Sequence, residues 1–194
     1  MNLNVKYQES YSRGELLLRA FFGFIYIAIP HYFILFFLNI WSSILTFIAF
    51  WVVLFTGRYP QSFFEFQVKV IRWSLRVQAR LSHLSDGFPP FGLDVEEEET
   101  KLDVTYPERL SRGHLLVRAF FGAIYCAFPH YFVLFFRNIL SAIFSFVAFW
   151  VVLFTGRYPQ SLHEFNVGTI RWSIRVSMYL GFLTDEYPRF SGKP

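Results

Sequence analysis

Shifted by 99 residues, this chain lies on itself without a gap. Gly14 falls on Gly113, Arg19 on Arg118, Pro30-His31 on Pro129-His130, and Asn39 on Asn138. The match continues through Arg58 and Arg157, Arg72-Trp73 and Arg171-Trp172, Arg76 and Arg175, then Asp86 and Asp185. From Gly14 to Arg76 about seven in ten positions are identical to their partners. Self-similarity at one fixed period means one structural unit used twice. Residues 1–84 form the first module and residues 104–194 the second. The join, residues 85–103, carries Gly, two prolines and the acidic run Glu96–Glu99. That is the composition of an exposed linker, with the acidic run solvated; a cation or basic-partner site is the alternative.

Each module is dominated by about forty nearly uninterrupted apolar residues, Leu16–Phe55 and Leu115–Phe154. Hydrophobic residues make up 54% of the chain and charged residues 16%, against about 25% in a soluble domain. A helix needs roughly 20 apolar residues to cross a bilayer. Forty therefore read as two crossings, with the break at Phe37–Ser43, where Asn39 and two serines sit. The second copy places Arg137 there, cheap at an interfacial turn and expensive inside the bilayer. Crossings are expected at 16–38, 39–55, 115–136 and 138–154. The rival break is at Pro30 and Pro129, but proline in a membrane helix more often kinks than terminates.

Gly57 and Gly156 can end a helix in the left-handed conformation, and Pro60 and Pro159 can open the next. Phe63, Phe66, Val70, Trp73, Val77, Leu81 and Leu84 then recur at steps of three and four, opposite Glu65, Lys69, Arg72, Arg76 and Arg80. This pattern predicts amphipathic interfacial helices over 60–84 and 159–183. Excess Lys and Arg mark the cytoplasmic side. Placing both basic helices there requires an even number of crossings between them and leaves only Arg137 of the Lys and Arg residues on the far side. The expected fold is an all-α membrane protein: four transmembrane helices as two tandem hairpins, each followed by a cytoplasmic amphipathic helix, both termini cytoplasmic. The two modules share one orientation, the parallel-repeat arrangement. Alternating residues in Leu3–Tyr7 and Leu102–Tyr106 also suggest one short strand per repeat; a lone strand is unstable, so the two are expected to pair.

The order "LDVTYPERLSR", "PHYFVLFF", "TGRYPQS", "RW", "RV" and "TDEYP" resembles the bacterial membrane proteins gathered as domain-of-unknown-function family 4389. The resemblance covers Leu102–Ser191 closely and Leu3–Phe91 nearly as well. The first copy departs at "LSDGFPPFG", which lacks the "TDEYP" form, and at Lys69, where the second has Gly168. The resemblance implies an integral membrane module of the bacterial inner membrane, used alone or in tandem. It carries over no catalytic residue.

Three sets of side chains could carry chemistry. Arg58, Arg72 and Arg76, with Arg157, Arg171 and Arg175, suit phosphate oxygens and read as sites for anionic phospholipid headgroups; plain interfacial anchoring is the alternative. His31 and His130 lie inside the first crossings, where ionisable groups are functional candidates by default. They read as neutral structural imidazoles, with haem or chlorin ligation between the modules as the alternative. His163 has Phe64 as its counterpart, so a site shared by both modules would not use it. Cys126 is the single cysteine, which excludes an intrachain disulfide and a Cys-based metal site. There is no nucleophile–base set and no phosphate-cradling glycine loop, so an enzyme is not expected. The expected role is a non-catalytic accessory or scaffold subunit of a larger inner-membrane complex, contacting lipids and other membrane subunits but no nucleic acid. The alternative is a small transporter or lipid-handling protein with its site between the repeats.

Overall fold

The structure, a computed structural model, describes residues 1–194. In chain order it holds strand β1 (Asn2–Val5), helix α1 (Arg13–Thr56), helix α2 (Gln61–Leu81), strand β2 (Thr100–Asp103), helix α3 (Arg112–Thr155) and helix α4 (Gln160–Leu180). The long helices α1 and α3 have 44 residues each and are long and apolar enough to cross a membrane. Each begins at a serine N-cap: Ser12 Oγ accepts from the Glu15 N–H and Ser111 Oγ from the His114 N–H. Each ends at a glycine in the left-handed region, Gly57 at φ 72° and Gly156 at φ 73°, as the repeated "TGRYP" corner predicts. A π-helical turn, Phe24–Ala28 or Ala123–Ala127, stands just before Pro30 or Pro129. Proline supplies no N–H and crowds the preceding turn; the wider turn before it lets the helix continue.

The break expected at Phe37–Ser43 and its copy is absent: the helix runs straight through it. The polar groups that suggested a turn are satisfied without one. Asn39 Nδ2 donates to the Leu35 carbonyl at 2.7 Å, Ser43 Oγ to Asn39 O at 2.9 Å and Thr46 Oγ1 to Ser42 O at 2.9 Å. Arg137 lies inside α3, its Nε donating to Thr169 Oγ1 at 2.9 Å and its guanidinium carbon 4.1 Å from the Phe165 ring centre. The four expected crossings are therefore replaced by two long helices, each followed by a shorter one.

Those shorter helices are not solitary surface helices. α2 folds back along α1: Gln67 bonds Ser42 and Thr46, Trp73 bonds His31, Leu81 meets Gly23, and beyond the helix Asp86 pairs with Arg19. Its apolar side (Phe64, Val70, Trp73, Val77) is buried, but so are Gln67, Arg76 and Arg80. α4 repeats this with Trp172 on His130 and Asn166 on Ser141 and Ser145. The linker is docked rather than free. Glu97, one of the run of four glutamates, holds the buried Arg80 through both carboxylate oxygens at 2.7 and 2.9 Å, so the run is only partly solvated.

The two strands pair antiparallel with Leu3 opposite Leu102. Each of these leucines is the other's repeat equivalent, so the pairing is isologous and a pseudo-twofold axis passes between them. Several contacts across that axis occur twice. Tyr7 Oη donates to Tyr158 O, and Tyr106 Oη to Tyr59 O. The Tyr11 N–H donates to Gly156 O at 2.8 Å, and the Leu110 N–H to Gly57 O at 2.9 Å. Arg13 Nη2 reaches Phe154 O at 3.0 Å, and Arg112 Nη2 reaches Phe55 O at 2.9 Å. Each module's N-terminal segment thus caps the other's glycine corner, where a cation also suits the negative helix end. The main core mixes Leu3, Leu16, Leu75 and Leu84 with Leu102, Ala148, Val152 and Tyr158, and so belongs to neither half alone. A protease site inserted between Glu98 and Glu99 tests this. After cleavage the two halves are expected to co-purify in detergent as one particle; separation into two species would contradict the exchange.

Candidate membrane-facing site

The six arginines singled out as headgroup ligands fall into two groups. Arg76 is buried and donates to the carbonyls of Val95 and Gly92. Arg171 is buried on Leu3 O (2.9 Å from Nη2) and Gly192 O (2.6 Å from Nη1). Arg72 Nε donates to Leu102 O at 2.9 Å, and Arg175 Nη1 to Ser191 O at 3.2 Å. These four spend donors on backbone carbonyls of strands, linker and tail, and they do not converge on one open site. The cleft of about 290 Å³ beside Arg72 and Arg76 is also lined by Glu96, Glu97 and Asp103, which oppose an anion. Arg58 and Arg157 differ. Both are exposed at the glycine corners, and no side-chain partner holds either guanidinium. The exchange brings Arg112 beside Gly57 and Arg13 beside Gly156, so each corner carries two exposed arginines, one from each module.

The histidines are not brought together. His31 and His130 are fully buried in separate clusters, one per module. His31 Nδ1 accepts from Trp73 Nε1 at 2.8 Å and His130 Nδ1 from Trp172 Nε1 at 2.9 Å. With Nδ1 an acceptor, the neutral ring carries its proton on Nε2. Phe91 covers the His31 face at 3.9 Å between ring centres, and Phe190 covers His130 at 3.8 Å. A haem or chlorin bridging the modules does not match this placement. The imidazoles serve instead to pin linker and tail onto the long helices. No group of three or more His, Cys, Asp or Glu is placed to hold a metal ion.

Sequence reasoning missed Asp86 and Asp185 as the partners of Arg19 and Arg118. Arg19 bonds Glu15 at 3.3 Å, as its helical spacing suggests, but its stronger partner is Asp86 at 2.6 Å. Arg118 pairs with Asp185 at 2.5 Å and donates to the carbonyls of Tyr179 and Thr184. The signal was present, since Asp86 and Asp185 are repeat equivalents. His163 packs edge-on against Tyr7 and Tyr158, as Phe64 packs against Tyr106 and Tyr59; the two occupy equivalent structural places. Burial pushes its pKa down. His83, in the turn after α2 at φ 58°, is lowered to about 4 by burial and by the neighbouring charge of Arg19, against a smaller opposing effect of Asp86.

The largest surface feature is apolar. Phe21, Phe24, Phe33, Phe36, Phe47, Trp51 and Phe55 stand exposed along α1, and Phe120, Ile124, Phe132, Phe135, Phe146, Trp150 and Phe154 along α3. The shorter helices contribute no exposed large hydrophobic residue. From Leu16 to Thr56 the only charged residue, Arg19, is buried; from Leu115 to Thr155, Arg118 is buried and Arg137 half-buried. A face this long far exceeds the patches of soluble monomers. A polar groove of about 160 Å³ lies between the modules, lined by Gln78 and Ser82 from the first and Asn138, Ser141, Ser145 and Asn166 from the second.

Two long apolar helices backed by two shorter ones, built as a tandem repeat around one strand pair, define the class. The chain belongs to the family described as Domain of unknown function (DUF4389), which matches it twice, over residues 15–92 and 116–192. No match was found among curated proteins or among solved structures.

Two predictions follow from the buried imidazoles. Trp73→Phe leaves His31 Nδ1 buried without a donor and is expected to cost about 1–3 kcal/mol in a thermal or denaturant melt. Trp172→Phe should do the same, and the two losses should add, because the clusters are separate. Stability should also fall as pH drops from about 6.5 towards 4. Over that range His83 takes up a proton in the unfolded chain but resists it in the fold. His83→Asn, which tolerates the positive φ, should flatten that slope in melts at graded pH.

Proposed function

We propose that this protein is a non-catalytic accessory or scaffold subunit of a larger complex in the bacterial inner membrane, with both termini cytoplasmic and anionic phospholipid at its cytoplasmic face. The observation that carries the reading is the uncharged apolar face of α1 and α3, bordered at both glycine corners by exposed arginines. Apolar area of this kind is stable only when covered by acyl chains or by another apolar surface. Basic residues at its border attract anionic headgroups. Arg58 and Arg157 are the favoured headgroup contacts, because no partner within the chain holds their guanidinium groups, whereas Arg72, Arg76, Arg171 and Arg175 bond backbone carbonyls of the chain itself; Arg13 and Arg112, each on one helix-end carbonyl, stand beside them. Aromatic residues along the face suit contact with both lipid and partner helices.

The second reading, a small transporter or lipid-handling protein with its site between the repeats, draws on the polar groove shared by Gln78, Ser82, Asn138 and Ser141. At about 160 Å³ it has room for a few water molecules or a very small solute. It is short against a path across a bilayer, which favours the subunit reading.

Purification from native membranes in mild detergent tests the subunit role. A larger assembly with stoichiometric partners is expected; a lone species retaining no partner would overturn it. For the lipid contact, Arg58→Ala with Arg157→Ala should lower affinity for phosphatidylglycerol vesicles roughly thirtyfold, at about 1 kcal/mol per arginine. Arg72→Lys with Arg171→Lys should leave that affinity unchanged.

A further inference from the structure

We infer that the two long helices lie within one leaflet and do not cross the bilayer, so that their joint apolar face is a docking surface for the acyl chains of a single leaflet. This rests on the membrane reading above and says how the chain meets its lipid.

The argument starts from the pseudo-twofold axis. Half a turn about an axis leaves every point at its own level along that axis. Arg13 and Arg112 are repeat equivalents and share a level; so do Phe55 and Phe154. Arg13 touches the Phe154 carbonyl and Arg112 the Phe55 carbonyl, at 3.0 and 2.9 Å. All four therefore sit at one level, and each 44-residue helix starts and ends at the same height along the axis.

The direction of that axis follows from charge. It passes through the strand pair, whose Lys101 and Asp103 are exposed and which adjoins exposed Lys6, Glu96 and Glu98. An axis in the membrane plane would put this charged centre at mid-bilayer, where ionised groups are expensive. The axis therefore runs along the membrane normal, and both ends of each long helix meet the same interface.

Length and packing agree. A straight 44-residue helix is about 66 Å long, so one crossing of a 30 Å hydrocarbon core would need a tilt of about 60°, beyond the 0–40° range. The middle of α1 also never leaves α2. His31 holds Trp73 and Ser42 holds Gln67, while the same α2 carries Glu65, Lys69 and Arg72. A helix with those charges stays at the interface, and it keeps α1 beside it. The exposed residues Phe33, Phe36, Phe47 and Trp51 then point into the leaflet from a helix lying along its surface.

The test uses the full chain with Cys126→Ala, reconstituted from outside into vesicles of phosphatidylethanolamine and phosphatidylglycerol. Single cysteines at Leu18→Cys, Phe36→Cys and Phe55→Cys carry a fluorophore. Lipids brominated near the glycerol or near the methyl end of the chain are compared, together with an aqueous quencher sealed inside the vesicles. Shallow bromine should quench all three positions several-fold more than deep bromine, and the enclosed quencher should reach none. Strongest quenching of the Phe36 label by deep bromine, or any quenching from inside, overturns single-leaflet insertion and leaves the membrane reading standing. Failure of the unlabelled protein to float with vesicles overturns the membrane reading and this inference with it.

Discussion

The backbone pairing of Leu3 with Leu102 is the contact on which the rest of the molecule depends. Two four-residue strands would not hold in water unaided. Here Arg171 from the second module clasps the Leu3 carbonyl, and Arg72 from the first clasps that of Leu102. Each strand is thereby tied to the helix of the opposite half. The same exchange brings Tyr11 and Arg13 to the second glycine corner and Leu110 and Arg112 to the first, satisfying helix-end carbonyls that would otherwise be left open. One half alone would expose the strand edge, the corner carbonyls and half of a mixed core. The duplication is therefore a means of supplying each module with the partner it needs, in one chain.

Much of this was legible in the sequence. The self-match predicts two equivalent modules. Gly57 and Gly156 predict the helix ends, and the alternating Leu3–Tyr7 and Leu102–Tyr106 predict the strand pair, shifted by one to three residues from where it forms. Local chemistry sets each of these features, so local pattern reveals them. The expected break at Asn39 failed because a polar residue in an apolar run has two outlets, a turn or a partner. Asn39, Ser43 and Thr46 bond the preceding helical turn, while Ser42 finds Gln67, 25 positions away. Periodicity does not encode that choice. The arginines misled for the same reason. Arg76 and Arg171 read as a free basic face, but their partners are backbone carbonyls, which leave no mark in the sequence. Arg19 with Asp86 was the readable case, since both residues recur in the copy.

The corrected fold changes what the apolar stretches mean. As four crossings they would have hidden their aromatic residues on all sides of two hairpins. As two continuous helices, each backed by a charged helix on one side, each leaves a long apolar surface exposed, with arginines at the glycine corners. Ser42, inside the expected break, and Ser141, its counterpart in the copy, instead meet Gln67 and Asn166 inside the protein. The histidines seal each module from within, with phenylalanine from linker or tail stacked upon them. Apolar surface, the corner arginines and a small polar groove between the modules remain available to the outside, beside the charged cleft at Arg72 and Arg76.

Crosslinking across the strand pair tests the two-fold exchange most directly. With Cys126→Ala as background, Asn2→Cys and Asp103→Cys stand opposite each other in the antiparallel register, both on the exposed face. Mild oxidation of the purified protein should join them in high yield, seen as a linked peptide by mass spectrometry, and far faster than the offset pair Asn2→Cys with Lys101→Cys. Equal yields for the two pairs, or no link in either, would contradict a structure built on Leu3 facing Leu102.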